Sequence, residues 1–61
     1  MAAREYAERT RVAAAARLLI ETPQSVELIA RQTGFGTGAA TRKSFVRVLQ
    51  VTPVEYRRRY S

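Results

Sequence analysis

Residues 25–56 read SVELIARQTGFGTGAATRKSFVRVLQVTPVEY, and the order of signals along them decides the fold. Ser25 stands where a helix N-cap is wanted, and Val26, Ile29 and Ala30 then share one face of a short helix reaching about Thr33. Gly34 ends that helix, because a left-handed dihedral is cheap at glycine, and Phe35 beyond it is placed to plug a core. Thr37 caps a second helix running from about Gly38 to Leu49, with Phe45, Val48 and Leu49 at a period of about 3.6 residues. Arg42, Lys43 and Arg47 lie off that stripe and are available to a ligand. Thr52-Pro53-Val54-Glu55 opens a last helix with threonine at N-cap, proline at N1 and glutamate at N3, the pattern of a capping box.

A sharp turn that holds one helix while presenting the next, basic one is what a helix-turn-helix reader of DNA needs. Upstream, residues from about Arg4 to Ile20 are strong helix formers, with Val12, Ala15, Ala16 and Leu19 at helical spacing and Leu18 widening the stripe. Alanines on that face let a neighbouring helix approach closely. Arg4 with Glu8, and Glu5 with Arg9, are spaced as surface i,i+4 pairs. Thr22-Pro23-Gln24 breaks the pattern, since the residue before proline avoids helical dihedrals. Leu28 falls off the short helix's apolar face and reads either as an ordinary exposed leucine or as a contact residue. Tyr56 and Tyr60 sit one turn apart on the last helix. Arg57, Arg58 and Arg59 crowd its end, either as a solvated basic terminus or as phosphate contacts. The expectation is an all-α fold, a bundle of three to four helices with a homeodomain-like helix-turn-helix.

Composition supports that reading. A chain of 61 residues buries only about 60% of the surface it exposes when unfolded, so its core is expected to be marginal. Ala, Leu, Val and Arg dominate, and the alternation typical of strands is missing. With no cysteine and no histidine, neither a disulfide framework nor a zinc site is expected. No stretch is apolar enough for a signal-peptide core or a membrane span, so a cytoplasmic location is expected. The net charge of +6 is uneven: residues 1–41 carry +1 and residues 42–61 carry +5. Such asymmetry points to a polyanion at one end of the molecule.

Catalysis wants groups that move protons or act as nucleophiles, and histidine, cysteine and aspartate are all missing. Lys43 and Ser44 are sequence neighbours but point about 100° apart on a helix, so they form no serine–lysine pair. The segment from Gly34 to Gly38 lacks the lysine and spacing of a phosphate loop. No catalytic residue, cofactor or metal is expected.

Taken together, Arg11-Val12, Ala16-Arg17-Leu18-Leu19, Ser25-Val26, Ile29-Ala30-Arg31, Gly34-Phe35-Gly36-Thr37, Phe45, Val51-Thr52-Pro53 and Glu55-Tyr56-Arg57 resemble the C-terminal part of the DNA-binding domain of the bacterial AraC/XylS regulators. The likeness is nearest to the branch whose members carry an amidotransferase-like or DJ-1-like sensor, and it runs over roughly residues 6–60. That family's domain pairs two helix-turn-helix units through a long connecting helix. This chain resembles the connecting helix (residues 1–21), the second unit (25–50) and a closing helix (52–60), together one domain over residues 1–61. The resemblance implies double-stranded DNA as partner. It also implies a first unit and a sensor domain, or a second copy, as the missing half. Its base-facing positions fall on Gly38, Ala39, Arg42 and Lys43, while Thr37 and Arg47 suit phosphates.

Four positions depart from the pattern. Gly38 and Ala39 replace side chains that often hydrogen-bond to bases, leaving Ala39 a methyl contact to thymine and shifting readout onto Arg42 and Lys43. Thr41 stands where a large apolar residue is usual, and Gln50 where the helix commonly ends in glycine. Both predict a weaker local fold. A chain that starts at Met1 with only this half reads equally as a fragment, a degenerate gene product or an excised piece.

The function expected is therefore sequence-specific DNA binding in transcription control, with residues 38–49 in the major groove. One rival is a protein-interaction module of the same fold, contacting polymerase or a full-length regulator through Leu28, Val46 or the connecting helix. A second is a cationic membrane binder, which the proline and glycine breaks disfavour, because the arginines do not line one continuous amphipathic helix.

Overall fold

The computed structural model describes the backbone of residues 2–60 and the side chains of residues 6–60. Four helices follow in order: α1 (Ala2–Glu21), α2 (Val26–Gln32), α3 (Gly38–Leu49) and α4 (Pro53–Tyr60), with no strand among the described residues. The fold is all-α.

The starts of α2, α3 and α4 are made by the residues their sequences offer. Ser25 Oγ accepts from the Leu28 amide and Thr37 Oγ1 from the Ala40 amide, both at 3.1 Å, satisfying donors that a helix leaves orphaned. At α4 the capping box is closed in both directions. The Thr52 amide donates to Glu55 Oε1 at 3.2 Å, and the Glu55 amide donates to Thr52 Oγ1 at 3.1 Å.

The turn after α2 is a Schellman motif. Gly34 sits at φ +89°, and the Phe35 amide reaches back to the Ala30 carbonyl at 2.9 Å. This closure drops the Phe35 ring onto the core and sends the chain at once into α3. The end of α3 uses the same left-handed conformation, but at Gln50, whose φ of 61° is unusual for a residue with a side chain.

Val12, Ala15, Ala16 and Leu19 of α1, Ile29 of α2 and Phe45 of α3 form one buried cluster, with Leu18, Val26, Phe35, Val48, Val51 and Tyr56 packed around it. The alanines bring α1 close to its neighbours, so a small core still reaches full burial. Thr41 is completely buried, and its hydroxyl donates to the Thr37 carbonyl at 3.0 Å, the bond back to the preceding turn that makes a polar side chain tolerable there. Leu49 differs from expectation. It is 40% exposed, because the chain turns away at Gln50 before another element covers it. The side chains of residues 6–11 stay out of the buried cluster, although Glu8 lies beside Arg47 of α3 and Arg11 beside Gly34.

Two neighbouring residues fasten α4. Tyr56 meets Phe45 edge to face, with centroids 5.3 Å apart, and stacks at a tilt on Tyr60. Arg57 reaches across to the end of α1, where its Nε donates to the Leu19 carbonyl at 2.9 Å. Its Nη2 donates to the carbonyls of Thr22 at 3.0 Å and Gln24 at 2.6 Å. The last turn of α1 has no basic residue of its own, so Arg57 supplies its C-terminal cation from the far end of the sequence. This resolves the arginine run: Arg57 is a clamp within the fold, whereas Arg58 and Arg59 are exposed. Arg17 pairs with Glu21 at 3.5 Å. The expected Arg4–Glu8 and Glu5–Arg9 pairs involve side chains outside the described residues; Glu8 lies beside Arg47.

Candidate nucleic-acid interface

Helix α3 turns about 100° per residue, so Gly38, Thr41 and Phe45 fall on its inner side and are buried. The opposite side carries Ala39, Lys43 and Val46, spaced i, i+4 and i+7, with Arg42 on one flank and Arg47 on the other, all exposed. Three cations thus surround two small apolar side chains on one outward surface. Guanidinium and ammonium groups there are suited to guanine edges and phosphates, and methyl groups to thymine.

The six residues expected to meet DNA do not all share this surface. Ala39, Arg42, Lys43 and Arg47 do. Thr37 is exposed at the helix start, with its oxygen already accepting the Ala40 amide, which leaves its hydroxyl proton to donate. Arg47 leans toward α1, where its Nε lies 3.7 Å from Glu8 Oε2, yet its side chain is 66% exposed. An exposed pair of this kind holds the side chain only weakly.

Gly38 differs from expectation: it is buried, and its amide donates to Glu27 Oε2 at 3.0 Å. A Cβ at this position would collide with that same oxygen, so glycine here lets the Glu27 carboxylate come close to the start of α3.

Two surface residues went unassigned to this interface in the sequence. Val46 is 43% exposed in the middle of the outward face, and its i+7 relation to Ala39 was the available signal. Glu27 gave no local signal, since its partner lies on another helix, with α2 and the glycine turn between them. Among the described residues no cluster of His, Cys, Asp or Glu is arranged to hold a metal ion, and no helix is long and apolar enough to cross a membrane.

A basic, outward-facing helix held by a glycine turn against a shorter partner defines the helix-turn-helix class of DNA-binding fold. Comparison with known proteins agrees: the family model described as a helix-turn-helix domain matches residues 1–59. The chain belongs to this AraC-type helix-turn-helix family. It is 43% identical over 56 residues to the HTH-type transcriptional regulator Rv1931c of Mycobacterium tuberculosis, a match covering 92% of this chain and 22% of that protein. The chain therefore corresponds to less than a quarter of the relative's length. No solved structure matches it.

Proposed function

We propose that the chain binds double-stranded DNA in the control of transcription, with α3 lying in the major groove. The observation that carries this reading is the outward face of α3, where Arg42, Lys43 and Arg47 surround Ala39 on a helix whose other side is locked into the core. Arg42 and Lys43 belong to the N-terminal half of that helix, the part that meets base edges in helix-turn-helix complexes. Arg42 is the better reader, because its planar fork matches guanine in two bonds. Arg47 serves phosphates, the Thr37 hydroxyl donates to the DNA at the helix start, and Gly38 sets the helix position without presenting a group. The chain acts as a binder with no chemistry of its own, in the cytoplasm.

A single unit of this kind reads one short segment, so a first helix-turn-helix unit with a sensor domain, or a second copy, completes the site. The N-terminal end of α1 is the natural connection to it. The interaction-module reading is not favoured, because the family match is to a DNA-binding fold and the relative is named a transcriptional regulator.

The test is a titration of Arg42→Ala, Lys43→Ala and Arg47→Ala against a selected duplex and a scrambled one at several salt concentrations. Loss of Arg42 or Lys43 relaxes preference at particular base pairs, by about 1–3 kcal/mol for a good bidentate contact. Loss of Arg47 weakens both duplexes alike and lowers the salt slope by about one unit. Equal losses for all three variants on both duplexes would reduce α3 to a charged rod on the phosphates.

A further inference from the structure

We infer that Glu27 is a charge-setting residue for DNA binding, which keeps phosphate away from the start of the recognition helix and so favours base reading over sequence-independent adhesion. This rests on the DNA-binding reading above. The N-terminus of a helix carries free amides and partial positive charge, and it attracts phosphate wherever it is left open. In α3 two of the three leading amides are taken. Glu27 Oε2 accepts the Gly38 amide at 3.0 Å, and Thr37 Oγ1 accepts the Ala40 amide at 3.1 Å.

Threonine would cap the helix without changing its charge, whereas glutamate places a full negative charge beside it. Glu27 is itself exposed, so this charge faces solvent and whatever docks there. It borders one cleft with Val26, Gly38, Arg42 and Pro53, the cleft formed where α2, α3 and α4 begin. The arrangement is matched on both sides, since only a residue without Cβ lets the carboxylate come so close at position 38.

Phosphate contacts hold a protein on DNA in any register and carry no sequence information. A helix end open to phosphate adds affinity of that kind alone. A mostly capped and negatively charged end leaves binding chiefly to Arg42, Lys43 and Arg47 on the outward face. When α3 sits in the groove its end points at the bases, so the cost of the carboxylate falls chiefly on sequence-independent complexes.

Glu27→Gln tests this, because glutamine keeps an acceptor for the Gly38 amide and removes the charge. The full chain is titrated against the selected and scrambled duplexes across salt, with circular dichroism confirming the fold. The scrambled duplex is expected to bind about two- to fivefold tighter at low salt, the range of a single charge at a helix end. The selected duplex gains less, so the preference ratio falls. Glu27→Asp separates charge from bond: it retains the charge while drawing the acceptor back, and it is expected to show no gain.

Unchanged or weaker binding by Glu27→Gln overturns the inference and leaves Glu27 a packing cap. An equal gain on both duplexes, or the same gain with Glu27→Asp, also overturns it. Absence of any salt-dependent binding by the unsubstituted chain would instead remove the DNA-binding reading, and this inference with it.

Discussion

Replacing Arg57 by alanine is expected to destabilise the protein sharply, although the residue sits in a run of three arginines that looks interchangeable in sequence. Its guanidinium donates to the carbonyls of Leu19, Thr22 and Gln24, and all three bonds are partly buried. A hydrogen bond to a charged group contributes about 1.5–3 kcal/mol. The three are not additive, because they share one guanidinium and the freed carbonyls regain water. A net loss of about 2–3 kcal/mol is therefore expected for the set, near one charged bond in full with partial recovery of the others.

Chains of this length have a total stability of only about 3–9 kcal/mol. In a domain so small, each kcal/mol moves the melting temperature by roughly 4–8 °C, so Arg57→Ala should melt about 10–20 °C below the parent. Arg57→Lys keeps the charge but not the planar fork and should fall between the two. Arg58→Ala and Arg59→Ala, at exposed positions, should change stability by less than about 0.5 kcal/mol. Thermal melts followed by far-ultraviolet circular dichroism decide the matter. If Arg57→Ala melts within about 4 °C of the parent, or no lower than the two controls, the clamp contributes nothing and its distances carry no energy.

Gln50→Gly should gain up to about 1 kcal/mol, since relief of a left-handed side-chain residue exceeds the entropy glycine adds to the unfolded chain; a lower denaturation midpoint would contradict the strain assigned to φ 61°. Thr41→Leu should stabilise by about 1 kcal/mol through added apolar burial. The Thr37 carbonyl keeps its Thr41 amide partner, so no acceptor is orphaned; a loss of more than that in urea melts would show the site is too tight for leucine. Glu55 is held below the usual carboxylate range first by the Thr52 amide and then by the Thr52 hydroxyl, with Arg59 and Arg58 adding to it. Because the folded value lies below the unfolded one, its contribution is present above the unfolded value and is lost as pH falls through the folded one. Glu55→Gln should therefore lose less melting temperature than the parent on acidification, and parallel losses would rule out this linkage.

Local chemistry made most of the helical frame legible. The caps at Ser25, Thr37 and Thr52, the glycine turn at Gly34 and the periodic core of α1 and α3 all act over four or five residues. Interactions of that range leave their pattern in the sequence itself, because the same few residues that form the bond also set its spacing. The outward placement of Arg42, Lys43 and Arg47 followed from the same periodicity.

The tertiary structure alone decided which charges are free. Arg57, Arg58 and Arg59 are identical in type and adjacent, and only the approach of α4 to the end of α1 separates a clamp from two solvated groups. Likewise Gly38 was counted as a surface contact until the packing of α2 put Glu27 on its amide. Leu49 kept the helical phase of a core residue and remained exposed, since burial depends on whether another element arrives to cover the face. A sequence fixes the direction in which a side chain leaves its own helix. What it meets there is set by chain segments far away, and their arrival is decided by the balance of the whole core.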